Sequence, residues 1–191
     1  MEVDQRLENR IKACTNCPAL VAERTHVVPA EVGSNYQYGG LAILAEAPGR
    51  DEDRSGRPLV GRAGKLMDSV LEAAGVDRSQ LLLMNTVRCR PPSNRLDRHP
   101  EALLACNDWT IAELNAYQPR VVLLTGNTPM RRVYGQQSKI TAVRGKPRST
   151  SEEFEYGERV WVPTWHPAYC LRNPASMGEL LDDLKLALEL L

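Results

Sequence analysis

The 191-residue sequence predicts a three-layer α/β/α sandwich around a central four-stranded parallel sheet. Four short apolar runs show no in-out alternation, as strands covered on both faces do. Helix-forming segments separate the runs. A polar residue stands at or just past the end of each run, where open parallel sheets bind ligands.

In chain order, "LAILAEAPG" from Leu41 is the first strand and passes its polar end at Glu46. Ala63–Ala74 is helical and stops at Gly75, a residue suited to the left-handed turn that ends helices. "LLLMNTV" from Leu81 is the second strand and ends at Asn85. Pro100–Tyr117 starts with Pro and Glu in its first turn, a favourable helix N-terminus. "VVLLTG" from Val121 leads to Gly126 and Asn127, and a short helix covers Thr128–Tyr134. "VWVPTWH" from Val160 ends at His166, and Met177–Leu191 is the last helix. With 42% hydrophobic and 25% charged residues, no repeat and no linker, residues 1–191 are expected to form one domain.

The opening "MEVDQRLENRIK" has no apolar run, so no secretory leader is expected, and no stretch is long enough to cross a bilayer. Five cysteines, an odd number, point to a reducing, cytoplasmic setting rather than a disulfide scaffold. The formal net charge is zero, but its distribution is uneven. Residues 131–148 carry six basic side chains and no acidic one, and residues 88–98 carry four arginines against Asp97. Such segments suit an anionic chain laid along one face; solvated loops account equally well for either segment alone. No feature calls for a second copy, and a monomer is expected.

Two motifs need weighing. "GRPLVGRAGK" has the glycine gap of a phosphate loop, but Arg62-Ala63 replaces the required Lys and hydroxyl residue, and "DED" precedes it. It is not a nucleotide site. The second is "CTNCPAL", whose Cys14 and Cys17 are followed only by the distant Cys89 and Cys106. A Cys-x-x-Cys pair serves a metal, a cluster or a dithiol couple. Zinc ribbons pair two such knuckles, whereas iron–sulfur clusters accept scattered thiolates. Two independent buried cysteines at 89 and 106 remain the plain alternative, and Cys170 is expected to be a buried thiol.

The runs "AEAPGRDEDRSGRPLVGRAGKLMDSVL", "NTVRCRPPSNR", "PRVVLLTGNT" and "WHPAYCLRNP" closely resemble the family 4 uracil-DNA glycosylases, over nearly the whole chain and in order. The resemblance implies a uracil-DNA glycosylase-like fold, DNA as partner, and a [4Fe–4S] cluster on Cys14, Cys17, Cys89 and Cys106. It further implies a hydrolase that flips uracil out of DNA and cleaves its N-glycosidic bond, starting base excision repair. Asn85 matches the base-reading Asn, whose amide complements the N3–H and O4 of uracil. His166 matches the histidine that donates to O2 as charge develops there. Other branches use an Asp to orient the water, but Ala47 holds that position, leaving Glu46 and Glu52 as carboxylates for the task. Arg88, Arg90 and Arg95, with Arg144, Lys146 and Arg148, would contact phosphates. Tyr169 and Leu171 would fill the gap left by the flipped base.

The chain departs from the family pattern at Ala45, where a Gly is usual, and at Leu59, where a Phe stacks on the base. Leu59 favours two other readings: a glycosylase with altered base preference, and an iron–sulfur DNA-binding homologue with little or no catalysis. His99 in "RLDRHPE" lies in the loop through which a relative in the superfamily traps DNA covalently, but the longer basic insertion found there is absent.

Overall fold

A computed structural model describes residues 4–191; the first three residues of the segment read as leaderless lie outside the described residues. The strands are β1 (Glu31–Val32), β2 (Leu41–Ala45), β3 (Leu82–Asn85), β4 (Val121–Thr125), β5 (Arg148–Thr150) and β6 (Arg159–Thr164). They form one sheet in the order β1-β3-β2-β4-β6-β5. The four expected strands are its parallel centre, β3-β2-β4-β6. The sheet as a whole has six strands and is mixed, because β1 and β5 add antiparallel edges. Those edges are two and three residues long and only partly covered, so neither leaves an apolar run in the sequence.

The helices are α1 (Gln5–Lys12), α2 (Pro18–Val21), α3 (Arg50–Ser55), α4 (Arg62–Ala73), α5 (Glu101–Ala105), α6 (Asn107–Tyr117), α7 (Asn127–Tyr134), α8 (Ile140–Val143), α9 (Pro167–Arg172) and α10 (Met177–Glu189). Successive strand residues point to opposite faces, and β2 shows what each face meets. Leu41, Ile43 and Ala45 pack with Met67 and Leu71 of α4 and Leu180 and Leu184 of α10. Ala42 and Leu44 pack with Leu114 of α6 and Met130 and Val133 of α7. Both faces are therefore buried, which is why the central runs are apolar throughout.

A third apolar cluster lies off the sheet. Asp4 caps α1 by accepting from the backbone N–H groups of Arg6 (3.1 Å) and Leu7 (3.0 Å). One turn apart, Leu7 and Ile11 are buried in this cluster together with Leu20, Val27, Val87, Cys17, Cys89 and Cys106. The helix expected over Pro100–Tyr117 is two helices, and Cys106 stands between them at φ −92°, ψ −3°. The break leaves Cys106 within this cluster, a tertiary demand that the helical pattern of the sequence does not reveal. No described helix is long and apolar enough to cross a membrane.

Candidate functional site

The C-terminal ends of the central strands are tied flush. Thr86 donates from both backbone N–H (2.8 Å) and Oγ1 (2.9 Å) to the Ala45 carbonyl, and Val87 N–H donates to that of Glu46 (3.0 Å). Gly126 N–H donates to the Thr164 carbonyl (2.9 Å). Gly126 lies at φ +93°, and a Cβ there would stand 3.0 Å from the Cβ of His166. A glycine is needed at this point for the β4 end to pass so close to the histidine.

Above this edge opens a cleft of about 460 Å³, within the range of small-molecule sites, lined among others by Glu46, Ala47, Glu52, Leu59, Asn85 and His166. It continues into a second space of about 710 Å³ that shares Glu46, Asn94, His166 and Ala168 and adds Trp165, Tyr169 and Arg172. Every residue named from the sequence for recognition or chemistry thus faces one cleft.

Asn85 is 3% exposed, and its Nδ2 has no hydrogen-bond partner. A buried amide donor left empty is costly unless something else fills it. His166 caps α9, and its Nδ1 accepts the Ala168 backbone N–H at 3.0 Å. That bond needs a lone pair on Nδ1, so a neutral ring carries its proton on Nε2. Burial holds the imidazole below its ordinary pKa; Arg172 adds to this, while Glu46 and Glu52 oppose it.

The two carboxylates differ. Glu52 is buried and accepts three backbone N–H groups, from Gly49 (3.0 Å), Val60 (3.0 Å) and Gly61 (2.7 Å). It closes the 49–61 loop on itself. Glu46 takes one hydrogen bond, from Thr128 Oγ1 at 2.5 Å, and lines both spaces. Leu59 is 5% exposed with φ +52°, in the left-handed region that a Leu rarely adopts.

The arginines divide sharply. Arg88 is corrected: it is 1% exposed, donates to Glu113 and to Thr110 Oγ1 (2.6 Å), and cannot reach a phosphate. Its partner Glu113 also accepts the Ala30 backbone N–H at 2.7 Å. Arg144 is also corrected, because Asp183 (2.8 Å) and Glu179 (3.0 Å) neutralise its charge. Arg148 donates to the Val133 carbonyl and lies over the Tyr134 and Phe154 rings, with its backbone on the edge strand β5. Lys146 is exposed and donates to the Ala142 carbonyl (2.9 Å), and Arg95 forms an exposed pair with Asp97 (2.7 Å). Of the basic residues named from the sequence, Arg90, which donates to Asn94 Oδ1 at 2.7 Å, lines the cleft, where Arg50 and Arg62 join it. Tyr169 stacks on Trp165 with centroids 4.6 Å apart, and Leu171 is 37% exposed beside it on α9. His99 lies beside Glu101 (3.3 Å) and outside the cleft lining.

Of the four cysteines that the sequence singled out, Cys17, Cys89 and Cys106 belong to the third cluster, and Cys14 borders it through Trp109. Cys17, Cys89 and Cys106 are buried and Cys14 partly so. Burial first, then Cys106, Cys89 and Cys14, push the Cys17 thiol up to about 11, so the other three thiols lie within electrostatic reach of Cys17. Two donors aim at the sulfurs. Arg24 Nη1 donates to Cys89 Sγ (3.0 Å) while its Nη2 donates to the Cys14 carbonyl (2.6 Å), and Trp109 Nε1 donates to Cys14 Sγ (3.2 Å). Neither donor is legible in the sequence, where an isolated Arg or Trp carries no spacing signal. Among the described residues no three His, Cys, Asp or Glu side chains converge on a single-ion site. Cys170 is buried and apart from this set.

The family model described as the uracil DNA glycosylase superfamily matches residues 39–185. A type-4 uracil-DNA glycosylase of Thermotoga maritima is 38% identical over 173 residues, covering 90% of this chain and 85% of the relative. One from Sulfurisphaera tokodaii is 33% identical over 195 residues, covering 100% of this chain and 86% of the relative. A type-5 uracil-DNA glycosylase of Pyrobaculum aerophilum is 27% identical over 179 residues, covering 80% and 74%.

Proposed function

The chain belongs to the uracil DNA glycosylase superfamily, alongside its type-4 members, and from that premise we propose that it hydrolyses the N-glycosidic bond of uracil in DNA, the opening step of base excision repair. The observation that carries this reading is the unpartnered Nδ2 of Asn85, a residue that lines the cleft. A base turned out of the stack presents its Watson–Crick edge to that amide. Nδ2 donates to O4, which is the acceptor that uracil offers, and Oδ1 accepts N3–H. Cytosine reverses both and is rejected.

Bond cleavage leaves negative charge on uracil O2. His166, with Nδ1 occupied by Ala168, presents its Nε2 proton as the donor for that charge, already oriented before the reaction. Ala47 offers no group to the water, so Glu46 orients it and accepts its proton, because three backbone amides already claim Glu52. Glu52 holds the loop that carries Leu59, whose side chain covers the base. Arg90 contacts the phosphate beside the flipped nucleotide, with Arg95, Lys146 and Arg148 farther out, and Tyr169 and Leu171 fill the space the base leaves.

The donor set of Cys14, Cys17, Cys89 and Cys106 fits a [4Fe–4S] cluster. In such a cluster each thiolate takes a different iron, so the four sulfurs need mutual proximity rather than convergence on one ion. Hydrogen bonds from Arg24 and Trp109 would offset the negative charge of the bound thiolates. A bound cluster would supply a fixed cross-link, and Cys89 would then hold the loop that brings Arg90, Pro91 and Asn94 to the cleft. We read residues 1–191 as one domain acting as a cytoplasmic monomer.

The test is excision by anaerobically purified protein on single- and double-stranded oligonucleotides carrying uracil, hypoxanthine, xanthine or thymine, read as alkali-labile abasic sites. Uracil is expected to be excised and thymine spared. A second reading, altered base preference, rests on the strained Leu59 in the cleft, and excision of another base ahead of uracil would establish it. No abasic product from any substrate would leave a DNA-binding homologue without catalysis.

A further inference from the structure

We infer that Arg78 is the positioning residue for the base-covering side chain at 59. The inference rests on the reading of the cleft as a uracil pocket. Arg78 lies outside that cleft, in the turn before β3, yet its guanidinium grips the loop that enters it. Nη2 donates to the Pro58 carbonyl (2.7 Å) and Nη1 to the Leu59 carbonyl (2.9 Å). The grip is itself anchored. Nη1 also meets Asp68 Oδ1 (2.9 Å) on α4, and Nε donates to Glu31 Oε1 (3.3 Å) on β1. Glu31 further binds Arg57, the residue before Pro58, at 2.8 Å and 3.1 Å.

The grip explains a conformation that the loop would not choose. Leu59 sits at φ +52° and is 5% exposed. A leucine there has its Cβ crowded against its own carbonyl, whereas glycine has no such cost. Two neighbours hold the carbonyl where the left-handed turn puts it. Arg78 donates to it on one side, and on the other it lies against Gly64 of α4, where a Cβ would come within 1.9 Å of the oxygen. A planar fork can hold two successive carbonyls at a fixed angle, which a single ammonium cannot. The angle between those carbonyls sets the direction of the Cα–Cβ bond at 59, and hence where the side chain meets a base read by Asn85.

The experiment is a double-mutant cycle of Arg78→Met with Leu59→Gly, followed by single-turnover excision of uracil from a single strand and by thermal melting. In the Leu59 background, Arg78→Met is expected to slow excision by about tenfold to a hundredfold, since a misplacement of about 1 Å can cost about 10² in rate. In the Leu59→Gly background there is no side chain to aim and no strain to hold, and the same substitution should change the rate less than about twofold. Equal losses in both backgrounds would show a general structural role and overturn the inference. Where Arg78→Met does not fold, Arg78→Lys takes its place in the cycle, since it keeps the charge beside Asp68 and Glu31 but not the fork. Should the unsubstituted protein excise no uracil, the functional reading fails. The inference is then judged on melting alone: unequal losses from Arg78→Met in the Leu59 and Leu59→Gly backgrounds show that the grip acts on residue 59 and support it, and equal losses reject it.

Discussion

Asn85 and Arg88 are three residues apart, both buried and both polar, yet they belong to opposite kinds of region. Arg88 points into the body of the protein, where Glu113 and Thr110 take up its Nη groups and leave only Nε without a partner. Asn85 lines the cleft, and its Nδ2 has no hydrogen-bond partner. The same contrast separates the two polar assemblies of the molecule. In the cysteine-bearing region the side chains face one another, with Arg24 and Trp109 spending their donors on Cys89 and Cys14. At the sheet edge, the Nε2 proton of His166 and Nδ2 of Asn85 remain unspent. Polar groups that pair within the chain hold a fold together, and an unpaired donor on a cleft-lining residue marks where a ligand is read.

This contrast can be broken by substitution, and the largest effect belongs to the satisfied side. Arg88→Met leaves the Glu113 carboxylate buried without its partner. Chemical denaturation should show a loss of about 3–5 kcal/mol, the usual result of removing one member of a buried pair. A loss below about 1 kcal/mol would mean that Arg88 is not structural. Next comes Cys17→Ser, which removes one thiolate of the proposed cluster. Because ligation energy is folding energy, iron content should fall from about four per chain and the melting temperature by at least about 5 °C. Retained iron with unchanged melting would dissociate Cys17 from the set.

Leu59→Phe sharpens the other side of the comparison. A flat ring stacks on a base better than a branched aliphatic does, so excision of uracil should rise several-fold, up to about tenfold if about 1.4 kcal/mol is recovered in the transition state. Abolished excision would mean that the pocket is shaped around leucine for another base. The smallest effect is the pH dependence of stability due to His166. Its folded pKa lies below the unfolded value because burial disfavours the charged ring. The unfolded chain therefore takes up the proton first as pH falls through about 6.5. The resulting contribution to stability is complete above that value and is lost on the way down to the folded pKa. Urea midpoints at about pH 7.5 and about pH 5 should diverge less for His166→Gln than for the unsubstituted protein; equal divergence would leave the imidazole outside the acid response.

Much of this was legible from the sequence for identifiable reasons. Strands buried on both faces must be apolar throughout, and so the parallel centre of the sheet could be read directly, whereas the edges β1 and β5 bury too little to leave a pattern. The residues at the strand ends could be placed because an open parallel sheet brings its C-terminal ends together whatever the loops do. The basic segments misled at Arg88 and Arg144, since a run of charges says nothing about which acid comes to meet it from 25 or 39 residues away. Arg24, Trp109 and Arg78 were invisible for the same reason: each acts on a partner distant in the chain, and none sits in a spacing that a single sequence reveals.

The central claim, that the empty donor of Asn85 is where uracil is read, is tested most directly by the single-turnover excision rate of Asn85→Ala on a uracil-containing strand. Loss of one preoriented donor costs about 10²–10³ in rate. The account predicts a fall of that size with the melting temperature held or raised, because the substitution also removes a buried, unpartnered amide nitrogen. An unchanged rate in a folded Asn85→Ala protein would contradict the account, for the uracil would then be read elsewhere.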